Sequence, residues 1–377
     1  MKQNLSAYRI WLEINLDVLE ENVNKIQQYV QPLQVLAVLK ANAYGLGAEK
    51  IAERLCRHTK ISGFCVADLK EALSLLPFGK PVQILGAVMD SEIPEAVDHG
   101  IILGITDFET AVKFSKEAVR QNKIQECHFK LDTGMGRLGI LPDQAVDLIL
   151  QCRKLPNLNC CGIYSHFAMI DGDEGQKRQE QILFFKQILE KCKEQGIYFK
   201  KIHMANSDAV NGFPDVVQQP FNHVRAGIDL HGAFTGKEKN RIGLKPVFSL
   251  KSRIVSIRKL PAGHTVGYNC TCQLQKETLV GVVAAGYADG LPLSLSNTGK
   301  MLVHGKICPV LGRISMDYTT VSLEAFQEKE VQIGDEVICL GRDGDCEIPV
   351  EDWATIKGTH PYDILCSFGN RVQRIYI

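Results

Sequence analysis

The sequence predicts an α/β protein: a (β/α)8 barrel followed by a mostly β C-terminal domain. Three observations predict it. Eight short apolar runs recur across the first two thirds of the chain, with helix-like stretches between them. The earlier runs are almost continuously apolar, as parallel strands covered on both faces tend to be. Past residue 240 the alternation stops, and β-type runs separated by Gly, Pro and Asp take over.

The eight runs fall at 35–40, 63–68, 82–86, 101–106, 128–134, 160–166, 200–205 and 221–230. Helical spacing of apolar residues marks 48–57, 69–76, 108–121, 144–154 and 176–195, with a weak pattern at 210–214. Eight such units closing on themselves make a barrel of ordinary size. An open doubly wound sheet is the competing arrangement, and it would want a glycine-rich turn after its first strand. Tyr44-Gly45-Leu46-Gly47 lies there but lacks the third glycine of a dinucleotide fingerprint. The polar stretch 232–241 reads as a linker, which divides the chain into 1–240 and 241–377. Within the second part, β-type runs fall at 250–258, 278–285, 301–310, 319–323 and 336–340.

The 377 residues carry 43 Lys and Arg against 43 Asp and Glu, a balance that argues against a nucleic-acid partner. Hydrophobic residues at 45% and charged residues at 23% suit a folded chain with a large core. No run of roughly 18 apolar residues occurs, and Met1-Lys2-Gln3-Asn4 lacks the apolar stretch of a signal peptide. A cytoplasmic protein with no membrane partner is expected. The thirteen cysteines are irregularly spaced and contain no C-x-x-C pair. Most read as small buried apolar residues in a reducing compartment, and no metal is expected.

Barrel enzymes build their sites at the C-terminal ends of the strands, so polar residues closing the runs are the candidates. Lys40 closes the first run. Lys130, Asp132 and Arg137 close the fifth, and His166 the sixth. Asn206 and Ser207 follow the seventh, and Arg225, Gly227 and Ile228 lie in the eighth. Singly, each has a bland explanation: a surface lysine, an ion-paired arginine, a satisfied core histidine, a helix cap. At five strand ends together they argue for a site. The loops after the last two strands are the usual phosphate site of such barrels. A phosphate there, with a lysine on the first strand, points to a phosphorylated carbonyl cofactor held through the lysine amine. Pyridoxal phosphate fits.

Eight segments carry a resemblance: VLKANAYGLG (38–47), DTGMGRLG (132–139), YSHFAMID (164–171), HMANS (203–207), VRAGIDLHG (224–232), VGYNCT (266–271), AGYADG (285–290) and GRISMD (312–317). In this order, over essentially the whole chain, they resemble the alanine racemase family. These are fold-type III pyridoxal-phosphate enzymes, and serine/alanine racemases are their relatives. The resemblance implies a barrel followed by a β domain, a homodimer with shared sites, and a small amino-acid substrate. It implies interconversion of L- and D-alanine for cell-wall peptidoglycan. Lys40 would hold the cofactor and act on one face of the substrate α-carbon, and Tyr268 of the partner subunit on the other. Racemisation needs a proton-transferring group on each face. A tyrosine of ordinary pKa, about 10, is a poor base at neutral pH, so His166 is its expected tuning neighbour.

The resemblance also implies that Arg225 faces the pyridine nitrogen, where an arginine keeps its own proton. Arg137 would meet the phenolic oxygen and the substrate carboxylate, and Lys130 occupies a position often carbamylated. Tyr44, Ser207 and Tyr362, with the backbone at Asn206, Gly227 and Ile228, would hold the phosphate. The Met316 amide would meet the substrate carboxylate. Tyr287, Asp171 and Arg313 would line the entrance from the dimer interface.

Four positions depart from the common pattern. Leu46 stands where many members have His, His231 where Tyr is frequent, Asn269 where Gly follows the tyrosine, and Leu293 where many carry Arg. None removes a catalytic group, but Leu293 weakens the charge lining the entrance. The nearest alternative is a serine or dual serine/alanine racemase of the vancomycin-resistance type. Those carry a membrane domain ahead of the catalytic part and tend to a smaller residue at the Tyr362 position. A non-catalytic pyridoxal-phosphate barrel would lack residues 241–377 and Tyr268. A decarboxylase of this fold type would show a cysteine-centred substrate motif. Cys270 and Cys272 follow Tyr268 closely, so their oxidation is the most disturbing to catalysis.

Overall fold

The computed structural model describes residues 8–168, 175–235 and 240–377. The first strand, β1 (Ile10–Ile14), stays outside the barrel. The barrel strands follow it: β2 (Gln34–Val38), β3 (Ile61–Val66), β4 (Val82–Ile84), β5 (Leu103–Ile105), β6 (Gln125–Lys130), β7 (Leu158–Tyr164), β8 (Lys201–His203) and β9 (His223–Ala226). Their order is β4-β3-β2-β9-β8-β7-β6-β5, every ladder in it parallel. The two ends meet through the bridge Gln83↔Ile102 and the 3.0 Å bond from the Ile84 N–H to the Ile102 carbonyl. The barrel is therefore nearly closed.

Every predicted barrel run overshoots its strand at the C-terminal end: β2 stops at Val38 rather than 40, and β6 at Lys130 rather than 134. Glycines and charged residues there leave the ladder and become the loops of the site. Asp132 shows how: its carboxylate accepts from the amides of Gly134, Met135, Gly136 and Arg137 at 2.8–3.1 Å. Burial opposes its ionisation, but these amides hold its carboxyl below the usual range.

After the barrel come β10 (Phe248–Leu260), β11 (Thr265–Val266), β12 (Cys272–Gln273), β13 (Thr278–Val283), β14 (Lys300–Val303), β15 (Lys306–Leu311), β16 (Thr319–Ser322), β17 (Glu336–Asp343), β18 (Cys346–Ile348) and β19 (Gln373–Tyr376). Nine strands form one sheet in the order β18-β17-β14-β15-β16-β13-β10-β1-β19, and β17 also pairs with β10, so the sheet curls back on itself. β11 and β12 make a small ribbon. β1 pairs antiparallel with β10 and parallel with β19. Placing all of 1–240 with the barrel therefore misassigns residues 10–14. A mostly apolar pentapeptide such as Ile10-Trp11-Leu12-Glu13-Ile14 suits a strand but does not say which sheet completes it. Its Trp11 is fully buried, donates to Glu13 at 3.0 Å, and lies 4.9 Å under the Arg253 guanidinium. The helix Leu16–Val30 returns the chain to the barrel, capped by Asn15, which accepts from the Asp17 and Val18 amides.

One continuous apolar core runs through both sheets, with a small satellite of Leu260, Val266, Leu274 and Val280 beside the ribbon. No helix among the described residues is long and apolar enough to cross a membrane. Eight of the thirteen cysteines are buried, while Cys270 and Cys366 are exposed. Toward the N-terminal end of β6, Glu126, His128 and Cys161 bring their donor atoms within 4.8 Å of one another. The Lys201 ammonium, 3.2 Å from Glu126, supplies the counter-charge there.

The buried histidines set an acid limit on stability. Burial holds His128 and His203 below the ordinary imidazole range, His223 at about 4 and His231 at about 3. Unfolded imidazoles titrate at about 6.5, so as pH falls the unfolded chain takes up protons first. Stability is then lost below about pH 6.5, by about 1.4 kcal/mol per pH unit for each histidine kept neutral. Asp229 and Glu351, whose carboxyls are raised by burial, work the other way, but the lowered histidines, His166 at about 2 among them, outnumber them. The melting temperature is expected to drop steeply between about pH 7 and pH 5. A flat profile there would contradict neutral buried histidines.

Candidate active site

A cavity of ≈ 640 Å³ opens at the C-terminal ends of the barrel strands. Lys40, Tyr44, Lys130, Arg137, His166, Asn206, Ser207, Arg225, Gly227 and Tyr362 all line it. Tyr362 arrives from outside the barrel, on the helix Pro361–Cys366. A second hollow of ≈ 450 Å³, between Phe234 and the helix Val350–Lys357, gathers none of these residues.

Lys40 opens an unusual segment. Ala41, Asn42, Ala43 and Tyr44 have φ of +53°, +54°, +51° and +56°, one left-handed turn made without glycine. Such a conformation costs about 1–2 kcal/mol per L-residue. Fixed partners hold it. The Glu71 carboxylate accepts from the Ala41 amide at 2.5 Å and the Ala67 amide at 2.9 Å. Asn42 accepts from the Ala48 amide at 2.9 Å. At Gly47 a Cβ would fall 1.7 Å from the Tyr376 hydroxyl, so only glycine fits. Burial lowers the Lys40 pKa, and Arg137 and Arg225 lower it further by repulsion. The amine is thus more available as a nucleophile or base.

Arg225 is 3% exposed. Its guanidinium donates to the carbonyls of Ser165 (2.8 Å) and Met204 (3.0 Å) and to His203 Nδ1 (2.7 Å). It also lies 3.2 Å from His166 Nδ1. All these partners are neutral, so its charge is left to act on whatever fills the cavity. Because an arginine only donates, His166 Nδ1 must accept and the ring proton sits on Nε2. Burial, then Arg225 and Arg137, push the His166 pKa down to about 2, so the ring stays neutral. Lys130 donates to the Leu85 carbonyl at 2.9 Å and lies 4.9 Å from the centre of the Tyr164 ring. Burial first, then Arg225, Arg137 and Lys40, bring its pKa to about 7. His203 and Tyr164, which orient these groups, close β8 and β7 but read as core, since both side chains are fully buried.

At another part of the cavity the Gly227 N–H donates to Ser207 Oγ and to Asp229 Oδ1, both at 2.9 Å. Ser207 Oγ donates to Asp229 Oδ1 at 2.8 Å. A Cβ on Gly227 would fall 2.3 Å from the Tyr44 hydroxyl. The Tyr44 and Tyr362 rings meet edge-on at 5.6 Å, and His231 packs edge-on against Tyr44 at 5.7 Å. Asn206 caps the helix Ser207–Gly212 by accepting from the Ala209 amide. Ile228 begins the turn Ile228–His231 and does not line the cavity. Asp229 went unnoticed in the sequence, because a carboxylate beside the expected phosphate site runs against simple charge reasoning.

The remaining candidates lie elsewhere. Tyr268, Tyr287, Met316 and Arg313 do not line the cavity. Tyr268 is 67% exposed, between β11 and β12, and Met316 and Tyr287 are 51% and 44% exposed. They share one neighbourhood on the β domain. The Tyr287 and Ala288 amides donate to the Ser315 and Met316 carbonyls, and a Cβ at Gly267 would meet the Arg313 backbone. Asn269 has φ +61°, a conformation that asparagine tolerates best after glycine. Leu293 is exposed too. Asp171 lies outside the described residues.

The family model for the N-terminal domain of alanine racemase matches residues 14–234, and that for its C-terminal domain matches 247–376. The alanine racemase of Desulforamulus reducens is 36% identical over 375 residues, covering 98% of this chain and 99% of that protein. That of Methanococcus maripaludis is 34% identical, with 98% and 99% covered. Among solved structures, the alanine racemase of Clostridium difficile 630 superposes with a TM-score of 0.90 at 31% identity, covering 98% of this chain and 96% of that one. With both family models matched in order along a nearly closed barrel and a curled β sheet, the chain belongs to the alanine racemase family.

Proposed function

We propose that this protein interconverts L- and D-alanine with pyridoxal phosphate bound to Lys40, in the cytoplasm, and so supplies D-alanine for peptidoglycan. The observation that carries the reading is Lys40, its amine shifted toward the neutral form by burial, sharing one cavity with an Arg225 that has no anionic partner among the described residues. The residues present fit the cofactor. The Tyr44, Ser207 and Tyr362 side chains and the Gly227 amide gather for a phosphate, and Arg225 can donate to a ring nitrogen. Pyridoxal phosphate, when bound, supplies the electron sink that makes the alanine α-proton removable.

The chain's own groups then move protons. Lys40 takes or returns the proton on one face of the α-carbon, and Tyr268 of the partner subunit serves the other. In this reading the exposed cluster of Tyr268, Tyr287, Met316 and Arg313 covers the barrel mouth of a second copy in a homodimer. The Met316 amide and Arg137 hold the substrate carboxylate, and Tyr287, Asp171 and Arg313 form the entrance. With its Nδ1 engaged by Arg225, His166 has only its Nε2–H left to offer, and donation to the Tyr268 oxygen would favour the phenolate. Lys130, with a pKa of about 7, holds a large neutral fraction at neutral pH. That amine can add carbon dioxide, and the carbamate would pair with Arg137.

Serine is the competing substrate. A pocket sized for a methyl group rejects an added hydroxyl only modestly, on the order of 10² in kcat/KM. The expected result is therefore a kcat/KM for L-alanine about 10–100 times that for L-serine. Equal values, or a preference for serine, would reassign the protein as a serine racemase.

A further inference from the structure

We propose that Asp229 links proton uptake to cofactor binding: it is protonated when a phosphate group occupies the cradle of Ser207 and Gly227, and its ionised form disfavours that group. The inference rests on the reading of this cradle as the phosphate subsite.

Asp229 is fully buried. Its Oδ1 takes three donors: Ser207 Oγ at 2.8 Å, the Gly227 N–H at 2.9 Å and the Leu230 N–H at 3.0 Å. Two of these are donors that a phosphate would need. Oδ2 is buried with no partner among the described residues. The groups facing the carboxyl are Asp208 from the helix Ser207–Gly212, Tyr44 from the left-handed turn and Tyr362 from the helix Pro361–Cys366, with His231 packed on the Tyr44 ring behind them. Among these there is no cation. His231 is kept neutral by burial, at about 3. Asp229 itself is raised to about 7 by burial, with the Ser207 and Gly227 donors opposing and Asp208 adding to the rise.

A phosphate brings up to two further negative charges to donors already shared with this carboxyl. An ionised Asp229 beside it would be a second buried anion with no counter-ion, an arrangement proteins avoid by protonation. The proton belongs on Oδ2, the oxygen without a partner. Loading the cofactor therefore takes up a proton near neutral pH, and alkaline conditions favour its release.

The test uses holoenzyme stripped of cofactor and titrated with pyridoxal phosphate, read by absorbance from about pH 6.5 to pH 9. Asp229→Asn keeps an oxygen for the three donors and puts a neutral N–H in place of the acid proton. Above about pH 7 the parent should lose up to about tenfold in affinity per pH unit beyond any loss in the Asn variant. Pyridoxal, which lacks the phosphate, should show the same pH profile in both. Calorimetry of the parent in buffers of different ionisation enthalpy should count about one more proton for pyridoxal phosphate than for pyridoxal. That count stands even if the variant folds poorly. Superimposable parent and Asn profiles, or equal proton counts for the two probes, would overturn the proposal. Ser207→Ala separates the underlying reading: it should weaken pyridoxal phosphate but not pyridoxal. An unchanged affinity in Ser207→Ala would remove the phosphate cradle itself, whatever Asp229 does.

Discussion

Lys40→Ala is expected to abolish racemisation, by more than about 10³-fold, because it removes both the anchoring amine and one of the two proton-transferring groups. The visible absorbance of the bound cofactor should vanish with it. The fold should survive. The turn that begins at Lys40 is held by Glu71, Asn42 and backbone bonds, none of which uses the lysine side chain. An unchanged melting temperature would therefore accompany the loss. Lys130 is the other lysine that lines the cavity. Its ammonium is engaged by the Leu85 carbonyl and the Tyr164 ring, so it is poorly placed to take over. Retained turnover with retained cofactor absorbance would transfer the anchoring role from Lys40 to another amine.

The second large effect concerns pairs of chains. Tyr268 stands exposed, away from the cavity that holds Lys40 in its own chain. In a two-fold dimer each site would combine Lys40 of one chain with Tyr268 of the other. Lys40→Ala and Tyr268→Ala homodimers should each be inactive. Unfolding and refolding them together in equal amounts should restore about a quarter of the parent's activity. Half the dimers are then mixed, and each mixed dimer has one intact site. No recovery, with mixed dimers demonstrated by mass, would confine each site to a single chain.

How much of this was legible in the sequence depends on what each residue type announces. Parallel strands buried on both faces are largely apolar, so β2 to β5 could be read directly, while β6, β8 and β9, which carry polar residues, were found by their place in the strand–helix alternation. Strand ends were read too long, because nothing in Lys130-Leu131-Asp132-Thr133 says where the ladder stops. The structure stops it where Asp132 gathers four amides. β1 was read into the wrong unit, since its partners lie over 230 positions away, at 248–252 and 373–376. The cavity residues were legible as a set, because polar side chains at consecutive strand ends are unusual in an apolar pattern. Their support was less so. His203 looks like a core residue, and Asp229 looks misplaced until its three donors are seen. Tyr268 and Met316 could be found only by resemblance, because exposed side chains follow no periodicity.

The left-handed turn has a consequence for inheritance. Four successive positions, 41–44, sit where a side chain branched at Cβ meets its own backbone. Val, Ile and Thr are thereby closed to them, while Asn, Asp and Gly stay open. Drift at 41–43 is confined to a small alphabet set by backbone geometry, while Tyr44 also answers to the cavity it lines. The segment can then look frozen across descendants for a purely conformational reason. An unvarying residue at Ala41 or Ala43 would say nothing about chemistry, while one at Lys40, immediately before the turn, would.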